Sequence, residues 1–279
     1  MSGNRHPAFR FVLFFCFGGT LCRAADLQEI VERASAAIKT DWAADAEYAC
    51  VERDETIKDG RTTSKTFEAI TMEGSEYDLP LAVNDQPLPP DREKAEIEKL
   101  KAELHRRQSE SPSARRERID KYNKQRDENG ALLLDFSGSF TFELLREETL
   151  EGRPAYVLAA TAKKRTGPLT RAEKVLAGMR GTVWIDKESF HAIRVECDVI
   201  TPVPIYGILA KVLPGTHIRI DMAAVTPSAS LVTGFSLDLT LSKLMMFRSK
   251  EVTRMTYSQY RTNQAELEDL LNGRPAQQQ

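Results

Sequence analysis

From Gly181 to Arg261 the chain writes one long strand after another, with almost no helix-period signal between them. GTVWID (Gly181–Asp186) leads into a two-residue turn at Lys187–Glu188, and the chain returns as SFHAIRVECDVI (Ser189–Ile200). In the return segment Ile193, Val195, Cys197 and Val199 fall on one face, and Arg194, Glu196 and Asp198 on the other. Period two marks a strand with one dry face and one wet face. HIRIDM (His217–Met222) repeats the pattern, as does LVTGFSLDLTL (Leu231–Leu241), where Phe235, Leu237, Leu239 and Leu241 share a face. A sheet this long must bend around its dry face or cover it. The expected fold class is mainly β with some α: an incomplete, strongly curved antiparallel β-barrel of about ten or eleven strands.

The first 24 residues read differently. Arg5, His6 and Arg10 make a basic start, Phe11–Phe17 is apolar, and Cys22-Arg23-Ala24 offers small residues at cleavage offsets. This is the pattern of a secretory signal peptide, 1–24, cut after Ala24. At about 12 residues the apolar stretch is too short to span a bilayer. No later apolar run is long enough, so no transmembrane segment is expected in the mature chain, which would be exported and, in a two-membrane cell, periplasmic. Taking three Arg from 39 basic residues leaves 36 against 41 acidic ones, a net charge of −5. A nucleic-acid partner wants a basic surface, so none is expected. Cys50 and Cys197 remain, and their spacing does not decide between a disulfide and two small apolar strand residues.

Residues 25–262 read as one domain. Asp26 begins an amphipathic helix with Leu27, Ile30, Val31, Ala34 and Ile38 at helical spacing, and Trp42 near its end. The concave face of the sheet is its expected partner. Glu47–Ile57 and Arg61–Met72 read as strands around Lys58-Asp59-Gly60, because Asp-Gly readily takes positive φ at both turn positions. A short strand at Leu79–Val83 and a turn at Asn84-Asp85 follow. Residues 91–128 are nearly all charged or polar, broken by Pro112, and read as a helical insertion that is mostly solvent-exposed and dispensable for folding. The sheet resumes at Gly138, turns at Leu150-Glu151-Gly152, and passes a basic linker, Lys163–Arg180. Residues 263–279 read as a short helix, Gln264–Leu271, and a disordered tail.

Catalytic patterns are missing from the sequence. There is no G-x-S-x-G, no H-E-x-x-H and no phosphate-cradling glycine loop. His105, His191 and His217 are scattered. Glu52 and Asp54 share a strand face, and paired carboxylates can do acid–base work, but they read as solvated outer-face charges. No enzyme activity, cofactor or metal is expected. A strongly curved sheet tends to hold an apolar cavity instead. Its candidate walls are Phe140, Phe142, Leu144, Trp184, Ile193, Val195, Ile218, Ile220, Phe235, Leu237 and Leu239. Val183 and Ile185 have the opposite parity to Trp184, which leaves open which of them faces inward. Leu244, Met245, Met246 and Phe247 break the alternation and read as a rim at the cavity mouth.

The amphipathic first helix, the Tyr48-Ala49-Cys50 strand, the V-W-I-D hairpin after Gly181 and the closing Tyr257–Arg261 strand together resemble the LolA-like superfamily, the periplasmic outer-membrane lipoprotein-sorting carriers and their exported relatives. The resemblance spans most of Asp26–Arg261. It implies a half-barrel plugged by helices on its concave side, and a non-enzymatic binding protein for an acyl chain, lipid or lipoprotein. The alternative it allows is an envelope protein–protein interaction or stress-sensor module with a filled concave core.

Overall fold

The computed structural model describes residues 22–163, 177–204, 210–243 and 247–273. Most of the expected signal peptide, most of the basic linker and three of the four rim residues (Leu244, Met245 and Met246) lie outside the described residues. So does the tail from residue 274.

The strands are β1 (Tyr48–Lys58), β2 (Arg61–Met72), β3 (Ser75–Val83), β4 (Gln86–Pro87), β5 (Phe140–Leu150), β6 (Arg153–Ala162), β7 (Met179–Asp186), β8 (Ala192–Val199), β9 (Val203–Pro204), β10 (Ala210–Val212), β11 (His217–Thr226), β12 (Ala229–Lys243) and β13 (Phe247–Thr262). They form one open, antiparallel 13-stranded sheet in the order β4-β3-β2-β1-β13-β12-β11-β8-β7-β6-β5, with β9 and β10 attached to β12. The sheet is an unclosed half-barrel, as the alternation predicts. Two of the extra strands, β4 and β9, are only two residues long. Four hairpins turn on two residues that both have positive φ: Asp59-Gly60, Glu73-Gly74, Asn84-Asp85 and Glu151-Gly152. Such turns match the twist of the strands they join. The expected two-residue turn at Lys187–Glu188 is instead a five-residue connection, 187–191, pinned by Asp186, whose Oδ1 accepts the amides of Glu188 and Ser189 at 2.9 Å each.

Helix α1 (Cys22–Asp45) is longer than the periodicity suggests and lies on the concave face. Ile30, Ala34 and Ile38 are buried there against Leu158, Val183 and Ile185. A short α4 (Phe136–Ser139) adds Phe136 to the same cluster.

The charged insertion is helical and mostly solvent-exposed, as expected, but a few buried side chains anchor it to the sheet. It forms α2 (Pro90–Gln108) and α3 (Pro112–Leu134), and these grip the β3–β4 edge from both sides. Pro90 opens α2, with Asp91 and Glu93 in the first turn and His105–Arg107 in the last, so its charges complement the helix dipole. Leu100 of α2 is fully buried against Ile70, Met72 and Leu79 on the convex face. Helix α5 (Asn263–Leu271), capped by Thr262, adds Leu270 to that cluster. α3 touches the other face, where Ile119 meets Gly74 and Tyr122 bonds to Thr71. Three buried or half-buried arginines weld the insertion down. Arg107 donates to the carbonyls of Met72, Ser75 and Glu76. Arg118 reaches the Glu73 carbonyl and Ser75 Oγ. Arg126 stacks on Trp42 and donates to its carbonyl. Trp42 in turn rests on Gly130, where any Cβ would sit 2.3 Å from the indole.

Candidate functional site

In an antiparallel sheet, directly paired residues share a face. One row crosses most of this sheet: Leu158–Val183–Val195–Ile220–Phe235–Met255–Asp54. Its first members pack against α1, so the whole row belongs to the concave side. Nine of the eleven sequence-predicted wall residues share that side. Phe140, Phe142, Leu144 and Val195 pack on the α1 cluster, and Phe136, Phe140 and Phe142 form an aromatic trio with centroids 4.5–6.5 Å apart. Ile218 and Leu239 join Met179, Val199, Val203 and Val212 at the other end of the strands. Ile220, Phe235 and Leu237 lie between, all only partly buried, and the row continues to Met255.

Trp184 and Ile193 are corrections. Both sit on the convex face, buried with Ala155 and Val157. The register shifts between Trp184 and Ile185, opposite Arg194 and Ala192, so Ile193 is an unpaired bulge residue. One inserted residue turns the side chain over, which a period-two reading cannot foresee. The Trp184 indole instead donates to Glu148 at 2.6 Å. The side chain of Phe247, the remaining rim residue, is outside the description.

The second correction concerns Glu52 and Asp54. They are on the inner face, not the outer one, because Asp54 pairs with Met255 and Glu52 with Tyr257. Burial, then the charge of Asp54, pushes the Glu52 carboxyl up to about 8. Asp54 Oδ1 is buried with no hydrogen-bond partner. Tyr257 beside them donates to Met255 Sδ at 3.3 Å, and burial raises its hydroxyl pKa well above the ordinary range. Tyr260 donates to the Val232 carbonyl. Asp78, from β3, is also pushed up, by burial and then by Asp54. Arg53 cannot neutralise this strip: it points to the opposite face, where it forks onto Asp85 at 2.7 and 2.9 Å. Cys50 and Cys197 are both free thiols, and burial raises the Cys197 pKa to about 11.

Thus the concave side has three parts: an apolar end plugged by α1, a partly exposed apolar trough, and a carboxyl–tyrosine strip. The paired carboxyls were visible in the sequence. Their face was not, because it depends on β1 pairing with β13, some 200 residues away. Among the described residues no group of His, Cys, Asp and Glu could hold a metal ion. No helix there is long and apolar enough to cross a membrane.

The chain matches no family model and no curated relative. Among solved structures it is similar to a LolA superfamily protein from Nitrosomonas europaea, at 12% identity and a TM-score of 0.36, covering 84% of this chain and 92% of that one. It is also similar to an outer membrane lipoprotein-sorting protein domain from Vibrio parahaemolyticus, at 10% identity and a TM-score of 0.38, covering 88% and 97%. A DUF1329 family protein from Desulfovibrio piger is similar at 14% identity and a TM-score of 0.35, covering 83% and 92%.

Proposed function

We propose that this protein is an exported, non-enzymatic binding protein that holds a lipid or acyl chain on the concave face of its half-barrel. The observation that carries this reading is the trough. Val195, Ile218, Ile220, Phe235, Leu237 and Met255 form a continuous apolar floor on one side of the sheet, and each is only partly covered. Burying an acyl chain of about 14 carbons there offers about 0.8 kcal/mol per methylene, roughly 10 kcal/mol before costs. Ordering the chain and losing its free motion cancel several kcal/mol, which leaves micromolar affinity.

Protein purified under native conditions should carry lipid visible in native mass spectra, or bind a fluorescent fatty acid at micromolar concentration. Leu237→Asp should abolish probe binding while circular dichroism is retained. A ligand-free mass spectrum together with no probe binding would refute the carrier reading. A second reading has its own support: α1 already fills the β5–β8 end of the concave side with Ile30, Ala34 and Ile38. On that reading the protein is an envelope interaction module, and the same negative result would favour it.

A further inference from the structure

On the solvent side of α1 a shallow, open cavity of about 330 Å³ lies between the helix, the β7–β8 connection and the β11–β12 turn. Arg33, Thr40, Ser189, Phe190, His191 and Ser228 supply its chemistry. Three features make it a built site.

Phe190 has φ +62°, a conformation that costs a bulky residue energy and that gathers at functional positions. That kink seats the buried Phe190 ring under the Arg33 guanidinium, whose Cζ lies 3.6 Å from the ring centroid. The same kink turns Ser189 and His191 toward the helix. Arg33 is held only loosely otherwise, with Glu29 at 3.4 Å across an exposed helical turn. Among the described residues its other donors have no protein partner.

His191 is fixed from behind. Its Nδ1 lies 2.8 Å from Oδ2 of buried Asp41, and Oδ1 of Asp41 accepts the Ser230 amide at 2.8 Å. This holds the ring and leaves Nε2 as the nitrogen available to the cavity, where it donates to an anion when the ring carries both protons. The hydroxyls of Thr40, Ser189 and Ser228 complete the lining. A planar guanidinium, an imidazole and hydroxyls approaching from several directions suit a tetrahedral oxyanion better than a flat carboxylate. The volume exceeds that of a bare ion and leaves room for a substituent.

We propose that this cavity binds a phosphate ester, read by Arg33 and by His191 with the hydroxyls as further partners. The ester is either free in solution or the head group of a lipid. The site is independent of the trough, so it stands or falls apart from the carrier reading.

The test uses the full chain. Inorganic phosphate and glycerol 3-phosphate are titrated calorimetrically while the His191 ring resonances are followed by NMR. In parallel, the protein is sedimented with phosphatidylcholine vesicles with and without phosphatidic acid. Saturable binding of the soluble anions that moves the His191 signals, without sedimentation, assigns a free phosphate ester. Sedimentation only with phosphatidic acid assigns a lipid head group. In either case Arg33→Gln should weaken binding roughly tenfold or more and Arg33→Lys by less, since Lys keeps the charge but loses the fork. Arg33 is exposed on the helix, so neither variant should change the melting temperature, which confirms that the fold is intact. No binding in any arm, or Arg33→Gln binding as the parent does, would overturn the proposal.

Discussion

The two ends of the concave face solve the same problem with opposite chemistry. At the β5–β8 end, α1 lays Ile30, Ala34 and Ile38 onto Leu158, Val183 and Ile185, and the contact is dry. At the β1–β3 end the same face carries Glu52, Asp54 and Tyr257, and α3 closes over it near Thr71 and Tyr122. The first end is held by area removed from water. The second buries the Glu52 carboxyl and so raises its pKa, and its helices are tied by arginines to backbone carbonyls on the strands they cover. The α1 contact at the apolar end should therefore respond mainly to side-chain volume, and the carboxyl strip mainly to pH.

The largest effect should come from the apolar end. Ile185→Ala removes a fully buried side chain and should cost about 2–5 kcal/mol in denaturant unfolding. A loss below about 1 kcal/mol would mean that α1 re-seats and that the end is plastic.

Next is the insertion. Arg107→Met keeps much of the side-chain volume but strips the buried carbonyls of Met72 and Ser75 of their shared donor, and should cost about 2–3 kcal/mol. Replacing residues 91–128 with a short Gly/Ser loop should then destabilise the fold rather than leave its melting temperature unchanged. An unchanged melting point would restore the view of the segment as a dispensable excursion.

The third prediction separates the ends by pH. Glu52 is held well above its ordinary value, to about 8, by burial and then Asp54, and Glu68 to about 7 by burial and then Glu266. A carboxyl with a raised folded pKa contributes stability that is fully present below its unfolded value and is lost as pH rises through the folded one. Stability should therefore fall between about pH 4.5 and 8. Glu52→Gln should flatten that fall and stabilise the protein at pH 8 by on the order of 1 kcal/mol, allowing for solvent screening. Asp186 runs the other way. Burial pushes its carboxyl up, but the amides of Ser189 and Glu188 and the Arg153 guanidinium outweigh this and hold it low. Its contribution is present above its unfolded value and is lost in acid. Equal slopes in Glu52→Gln and the parent would show that the strip is solvated.

The smallest effect should come from Arg254→Ala on β13. Its salt bridge to Glu55 is at 3.2 Å and its side chain is 54% exposed, so the change should stay within about 0.5 kcal/mol.

The contrast also explains what the sequence could and could not convey. The β1–β2 hairpin was legible nearly to the residue, because Asp59-Gly60 fixes the turn and alternation fixes the strands. α1 was legible because its apolar stripe has helical period. The wall residues on β11 and β12 kept their parity because the bulges in that ladder lie beyond Ile220 and Phe235. Trp184 and Ile193 did not, because one bulge intervenes. Glu52 was misread since a strand states which residues share a face but not which face will be covered. The anchoring by Arg107 left no sequence signal, since an arginine that feeds carbonyls has the same letter as one in water. The Arg33–His191 cavity left no local signal, since its parts are over 150 residues apart.

The pairing of β1 with β13 has a consequence for how the molecule is made. Tyr48 meets Thr262 and Lys58 meets Glu251, so the first strand of the sheet waits for the last. A chain synthesised from its N-terminus holds β1–β2–β3 as a detached ribbon until nearly every residue has emerged. α1, the earliest helix, has no floor to settle on until β5–β8 follow it. High sequence separation of this kind slows assembly, because loop closure comes before the contacts that reward it. Any truncation short of β13 leaves β1 and β12 each with a bare, strand-hungry edge.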